Sequence, residues 1–365
     1  MKQWIRANIL QIQPYKPGKP NEELERELGL TQTLKLASNE NCLGPSPLAL
    51  EAIKENFEKC HLYPDGGAYY LIEKLAAATG FPASQISVGN GSSEVITLLA
   101  LMTSSQGDSI VMSAQSFIMY KLSAQIAEAE YIETPLKKYG HDLEAMAGAV
   151  RENTRIIFID NPINPTGTYV TREQMDRFFD SVPADVLVVV DEAYKEYIDK
   201  DDYPDATEYI KEGKNVAVLR TFSKVYGLAG LRIGYCIAQP EVIEGLNKIR
   251  PPFNTSSLAQ KAASAALDDT EHVERSKELT LKEMSFLERE LTRRRYDYVP
   301  SVANFILVDI GMDARKVFEK LLPFGVIVRP MHGYHFPTSI RVSIGSRTEN
   351  ERFLEALDNM GNCGA

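Results

Sequence analysis

The stretch TFSKVYGLAGLRIGY (residues 221–235) places Lys224 just past the apolar run VAVLRTF, with Ser223 before it and Arg232 further along the same segment. Lysine normally keeps its ammonium in water, so this one is either a surface residue at a strand terminus or an amine held in a desolvated site. In the second case burial and a nearby cation favour the neutral, nucleophilic form. Asp191 poses the same choice at the end of VLVVV (186–190): a solvated acid, or a buried one that needs a partner. GNGSSE (89–94) joins two glycines, which allow close backbone approach, to Ser92 and Ser93 at a helix start, where unpaired N–H groups and the dipole favour an anion. A capped helix after a tight turn would read the same way. A dinucleotide fingerprint fits less well, because it wants glycine where Glu94 stands. NPINPTG (161–167) is a turn with little freedom to lose, able to hold the Asn164 amide at a fixed place.

These groups end short apolar runs, and helical patterns follow several of them. ISVGNG precedes SSEVITLLALM, DSIVMS precedes YKLSAQIAEA, and RIIFIDNP precedes TREQMDRFFDS; VLVVVDEAY, VAVLRTFSK and LRIGYCIA continue the series. Strands alternating with helices predict an α/β architecture with a mainly parallel sheet flanked by helices. Ligands of such sheets gather at the carboxyl ends of the strands, and five of these ends finish in polar residues. Near residue 250 the pattern changes. A charged helical stretch (256–295) leads into NFILVDI, GVIVRP and SIRVSIG, which predict a smaller α+β domain. The expected division is an N-terminal arm joining the small domain (1–35), a large domain (36–265) and a small C-terminal domain (266–365), with QPYKPGKP (13–20) extended.

The 365 residues are enough for a large domain and a smaller one. With 44% hydrophobic and 25% charged residues the chain reads as globular, and its net charge of −10 argues against a nucleic-acid surface. Cys42, Cys60, Cys236 and Cys363 show no paired spacing, which fits a reducing compartment better than a disulfide framework or a zinc site. No signal-peptide or membrane-length apolar run appears, so a cytoplasmic protein without membrane partners is expected.

LASNEN, YPD, GNGSSE, NPINPTG, DEAY, TFSKVYGLAGLRIGY, ANFILV, VRPMHGY and IRVSIG follow one another in this order over nearly the whole chain. In that ordered set the sequence resembles the fold-type I pyridoxal 5'-phosphate (PLP) aminotransferases, and within them the histidinol-phosphate aminotransferases. The resemblance implies that Lys224 bonds to the PLP aldehyde and later shuttles a proton between the substrate's Cα and the cofactor's C4′. It implies that Gly91, Ser92, Ser93, Ser223 and Arg232 cradle the cofactor phosphate, with Tyr63 reaching the phosphate of a partner subunit in a homodimer. Asp191 would keep the pyridine nitrogen protonated, Asn164 and Tyr194 would meet the phenolate oxygen, and Phe117 in SFIMY would stack on the ring. Arg341 would clamp a carboxylate through its planar fork, although the alternation of IRVSIG also suits a salt-bridged arginine on an exposed strand face. Tyr15, Asn39, Arg329 and again Arg341 would hold the substrate.

The implied activity is ping-pong transamination of L-histidinol phosphate with 2-oxoglutarate, in histidine biosynthesis. Three departures touch the side-chain pocket: YPDGGAYYLIEKLA lacks the usual proline and Leu-Arg, Ile163 stands where asparagine is frequent, and His335 where glycine is common. An aromatic-amino-acid aminotransferase is the alternative. A decarboxylase of a phosphorylated amino acid, a PLP-binding regulatory domain and a Rossmann dehydrogenase fit less well.

Overall fold

The computed structural model describes residues 4–14, 18–30 and 32–360. Its strands are β1 (Leu34–Lys35), β2 (Ile86–Gly89), β3 (Ser109–Ser113), β4 (Glu130–Thr134), β5 (Thr154–Asp160), β6 (Leu187–Asp191), β7 (Val216–Thr221) and β8 (Gly234–Ala238). They continue with β9 (Asp297–Val299), β10 (Phe305–Asp309), β11 (Val326–Ile327), β12 (Arg329–Pro330) and β13 (Ser339–Ser343). Among the described residues the large sheet has seven strands in the order β2-β8-β7-β6-β5-β3-β4. It is parallel except for β8, which runs antiparallel to both neighbours.

The apolar runs of β5, β6 and β7 are buried because helices cover both faces of the sheet. The period-two alternation shows which face each side chain serves. Ile157, Ile159, Val188 and Val190 pack into one core; Ile156, Phe158, Leu187 and Val189 pack into another on the opposite face. Helix Arg172–Ser181 shows the matching helical logic. Thr171 and Gln174 form a capping box, and Met175, Phe178 and Phe179 fall on one buried face.

The antiparallel strand β8 is what assembles the lysine segment. Thr221 and Gly234 are register partners, and Phe222 N–H donates to the Ile233 carbonyl at 3.1 Å. Residues 222–233 are therefore a closed loop at one end of the sheet, carrying both Lys224 and Arg232. On the other side of β8, Gly89 is registered with Gly234, which brings the start of helix Ser92–Thr103 to the same place.

The second sheet, β12-β13-β10-β9, is antiparallel and packs with helices Thr270–Arg293, Ala314–Leu321 and Arg347–Asn359 around a separate core. The charged stretch 256–295 is two helices, Ser257–Ala266 and Thr270–Arg293. They separate where Asp269 caps the second by accepting from the His272 N–H at 3.2 Å. GVIVRP is likewise two short strands that serve different sheets: β11 pairs with β1, and β12 with β13. The early residues also hold two helices that the proline-rich composition hides, Ala7–Gln11 and Asn21–Leu28.

Candidate active site

Between the two sheets lies a cavity of about 230 Å³. Its wall includes Asn39, Ser92, Ser93, Phe117, Asn164, Asp191, Tyr194, Ser223, Lys224, Arg232, Arg329 and Arg341, twelve of the residues singled out from sequence. Asp191 ends β6, Asn164 follows β5, and Ser223, Lys224 and Arg232 come from the 222–233 loop. Arg329 and Arg341 are cross-strand register partners on β12 and β13. Asn39 comes from the segment that follows β1.

At one end the backbone is shaped for close approach. Gly91 has φ +73° and ψ 164°, and no side chain caps the helix that follows it. A Cβ at Gly91 would lie 2.3 Å from Arg232 Nη2, and one at Gly234 2.6 Å from Ser92 N. Arg232 is itself in the left-handed region at φ +54°, and its Nη1 donates to Ser223 Oγ at 3.3 Å and to the Ala229 carbonyl at 3.2 Å. A non-glycine residue held there marks a position that its surroundings force. Helix N–H groups, the three serines Ser92, Ser93 and Ser223 and a guanidinium thus meet at the cavity wall with no room for another side chain, a donor set suited to a phosphate-sized anion. Gly91→Ala is expected to lower the unfolding free energy by roughly 2 kcal/mol, because Gly91 occupies a region open essentially to glycine alone. Denaturant melts of the two proteins check this.

In the middle stand the amine and the acid. Lys224 Nζ donates to the Ser38 carbonyl at 3.1 Å and lies 5.4 Å from the centre of the Tyr194 ring. Burial, aided by Arg341 and Arg232, pushes its pKa down to about 7, so the neutral amine is accessible at physiological pH. Asp191 is 4% exposed, which excludes a solvated acid. Its oxygens accept from the Tyr120 hydroxyl at 3.2 Å and the Ala193 N–H at 3.1 Å. Burial and the neighbouring charge of Asp160 push its carboxyl up to about 7. A cation entering beside it would restore the carboxylate.

At the other end a hydrogen-bonded chain links the two sheets. Asn39 Nδ2 donates to the Tyr194 hydroxyl at 2.9 Å, and Asn164 Nδ2 reaches the same oxygen at 3.4 Å. Arg341 Nη1 donates to Asn164 Oδ1, and its Nη2 donates to the Ala37 carbonyl at 2.8 Å. Asn39, in the left-handed region at φ +56°, also donates its N–H to Ser343 Oγ at 2.8 Å. The exposed-face reading of Arg341 is therefore overturned: every residue of β13 is buried, and Arg341 faces the cavity beneath residues 37–39.

One residue singled out from sequence lies elsewhere. Tyr63 is 84% exposed, stacks on Phe253 with ring centres 4.8 Å apart, and lines a separate depression with Cys60 and Ser256. Tyr15 lies outside the described residues. Sequence reasoning missed Tyr120, Asp160, Thr221 and Tyr334, which also line the cavity. Tyr120 had a signal: it ends SFIMY one helical turn after Phe117, and the two rings meet edge to face with centres 5.8 Å apart. The departure at His335 has a backbone meaning, since its φ of +61° is the conformation in which glycine is unstrained.

A family model described as aminotransferase class I and II matches residues 31–357. A protein of Anaeromyxobacter sp. (strain Fw109-5) named histidinol-phosphate aminotransferase is 48% identical over 355 residues, covering 97% of this chain and 98% of its own. One of the same name from Moorella thermoacetica is 48% identical over 353 residues, covering 96% of this chain and 92% of its own. Among solved structures, the histidinol-phosphate aminotransferase of Sinorhizobium meliloti in complex with pyridoxal-5'-phosphate matches with a TM-score of 0.91 at 28% identity, covering 99% of this chain and 98% of that one.

Proposed function

Because the chain belongs to the class I and II aminotransferases, we propose that it transfers the amino group of L-histidinol phosphate to 2-oxoglutarate with PLP as cofactor. One observation carries the chemistry: a neutral-capable amine, a buried acid and an anion cradle line a single cavity. The shared name of relatives at 48% identity supports the substrate. When bound, PLP supplies a ring that draws electrons from the substrate's Cα.

The chain's own residues do the rest. Ser92, Ser93, Ser223 and Arg232 hold the phosphate, and Gly91 keeps that cradle open. Asp191 holds a proton at the ring nitrogen, and Tyr120 and Ala193 orient its carboxylate. Tyr194, fixed by Asn39 and Asn164, would donate to the phenolate oxygen, and Phe117 would supply an aromatic face for the ring. Lys224 would be the residue that holds the cofactor's aldehyde carbon through Nζ, with loss of water, and, once freed by exchange with the substrate's amine, Nζ would carry the proton between Cα and C4′. Arg341, with Arg329 as its strand neighbour, meets the carboxylate of glutamate in one half-reaction and the phosphate ester of histidinol phosphate in the other. Both anions suit a planar bidentate fork. Tyr15 is read as a further holder of that phosphate.

The reading extends to assembly and place. Tyr63 reaches the phosphate site of a second copy, which accounts for an exposed tyrosine stacked on the half-exposed Phe253 with Tyr69 and Tyr70 also exposed. A homodimer follows. We assign residues 1–35 to the arm, 36–265 to the large domain and 266–365 to the small one; the pairing of β1 with β11 supports the arm's attachment to the latter. A cytoplasmic location is supported by the unpaired Cys42, Cys60 and Cys236, and among the described residues no helix is long and apolar enough to cross a membrane.

The deciding experiment is a panel of amino donors offered to the PLP-loaded protein with 2-oxoglutarate. Histidinol phosphate is expected to exceed phenylalanine in kcat/KM by about 100-fold, since only it brings a phosphate for a paired arginine. Phenylalanine turning over faster would reassign the substrate to aromatic amino acids, and release of carbon dioxide would make the enzyme a decarboxylase.

A further inference from the structure

Asp160 and Asp191 end neighbouring parallel strands as register partners, and both are buried and face the cavity. Register partners in a parallel pair project to the same side of the sheet. Two carboxylates therefore stand side by side where the proposed chemistry calls for one. Like charges so placed repel, and each needs its own compensation. Asp191 accepts from Tyr120 and Ala193, and on the reading above it faces the ring nitrogen. Asp160 has a different set. Its Oδ2 accepts the Asn164 N–H at 2.8 Å, while its buried Oδ1 has no hydrogen-bond partner among the described residues; His141 Nε2 bonds the Asp160 carbonyl oxygen at 3.0 Å and passes 3.2 Å from Oδ1. The His141 side chain is fully buried, with Nδ1 2.6 Å from Ser113 Oγ. Other ionisable groups that interact with this pair of acids include Tyr120, Tyr194 and Lys224.

We propose that Asp160, anchored by the Asn164 N–H and lying beside His141, is a second acid for the cofactor's ring nitrogen: a positioning residue whose charge acts through Asp191 to keep that nitrogen cationic. This rests on the assignment of Asp191 to the ring nitrogen. Without a cation the two acids compete, and the charge of Asp160 pushes the Asp191 carboxyl up. A protonated nitrogen beside Asp191 relieves both, so the negative charge of Asp160 strengthens the hold on a cationic ring. A ring without the nitrogen gains nothing from it. The bond from Asn164 N–H is a separate, structural duty of the same carboxylate, and the test must tell the two apart.

Cofactor-free wild-type protein and the Asp160→Asn variant are titrated with PLP and with its 1-deaza analogue, in which carbon replaces the ring nitrogen. Asparagine keeps an oxygen for the Asn164 N–H and removes the charge, at the cost of an NH2 group in place of the oxygen beside His141. Binding is followed by quenching of intrinsic fluorescence. The ratio of PLP to analogue affinity is expected to fall about tenfold in the variant, the equivalent of one pKa unit, while analogue affinity changes less than twofold. Both ligands bind the same folded fraction, so partial misfolding leaves the ratio untouched; should Asp160→Asn fail to accumulate, Asp160→Ser is measured in the same way. A ratio within twofold of wild type, or shifted toward PLP, overturns the proposal and leaves Asp160 a structural support of the turn. Wild-type protein that binds neither ligand overturns the cofactor assignment along with it.

Discussion

Lys224→Ala is expected to lower transamination by about 10,000-fold, the scale lost when one group serves as both covalent nucleophile and proton carrier. The fold should survive, because Lys224 lies on the cavity wall and its amine makes a single hydrogen bond, to Ser38. Noncovalent cofactor binding should survive too, since Ser92, Ser93, Ser223 and Arg232 remain. Covalent capture of PLP by the wild-type protein should depend on pH with a defined sign. The Lys224 amine is pushed down to about 7, so its neutral fraction, and the rate of capture, rise about tenfold from pH 5 to pH 6 and level off above about pH 8. In the alanine variant that dependence disappears. The same shift makes stability rise with pH: between about 7 and 10.5 the unfolded chain holds a proton on this lysine that the folded one does not. Rapid-mixing absorbance on both proteins checks the kinetic part.

Asp191→Asn is expected to reduce kcat by about 1,000-fold, because an amide cannot hold a proton at the ring nitrogen and roughly three pKa units of its support are lost. Stability should move the other way in the cofactor-free protein. The Asp191 carboxyl is raised from 3.8 to about 7, so its contribution to folding is most favourable below pH 3.8 and is lost as pH rises toward 7. The asparagine variant escapes that loss. Its melting temperature should exceed that of the wild type at pH 8, with the gap narrowing toward pH 4. Kinetics with saturating substrate and thermal melts at the two pH values measure both halves. A variant that keeps its activity would detach Asp191 from the chemistry. Destabilisation and inactivity together at every pH would make it a structural acid. Stability given up at a working site is a general trade.

The chemistry-bearing residues were legible because they cluster in short segments with a strong local logic. Lys224 and Arg232 share one loop, and GNGSSE reads directly as a turn followed by a helix start. Asp191 closes a run of valines that only a buried strand explains. What a single chain does not display is how strands pair. The antiparallel insertion of β8 between β2 and β7 joins the glycine turn to the lysine loop, yet LRIGYCIA looks like any other strand. Asp160 escaped notice for the same reason, since only its register with Asp191 makes it part of the site. Arg341 shows the limit of alternation. Ile340, Val342 and Ile344 leave Arg341 on the apparently wet face, and that face is covered by residues 37–39 from the far end of the sequence. The helices at Ala7–Gln11 and Asn21–Leu28 are short and border a proline-rich stretch, so their local pattern was too weak to find. Tyr120 opens the helical pattern YKLSAQIAEA, where nothing local tells a core tyrosine from one that reaches Asp191.

On the proposed chemistry the amine of Lys224 is the covalent anchor of the cofactor. The direct measurement is to load the protein with one equivalent of PLP, reduce it with borohydride, digest it and locate the added mass by tandem mass spectrometry. One phosphopyridoxyl group per chain, on Lys224, is expected. A stoichiometric label on any other lysine, or no label on a protein that has taken up PLP, would contradict it.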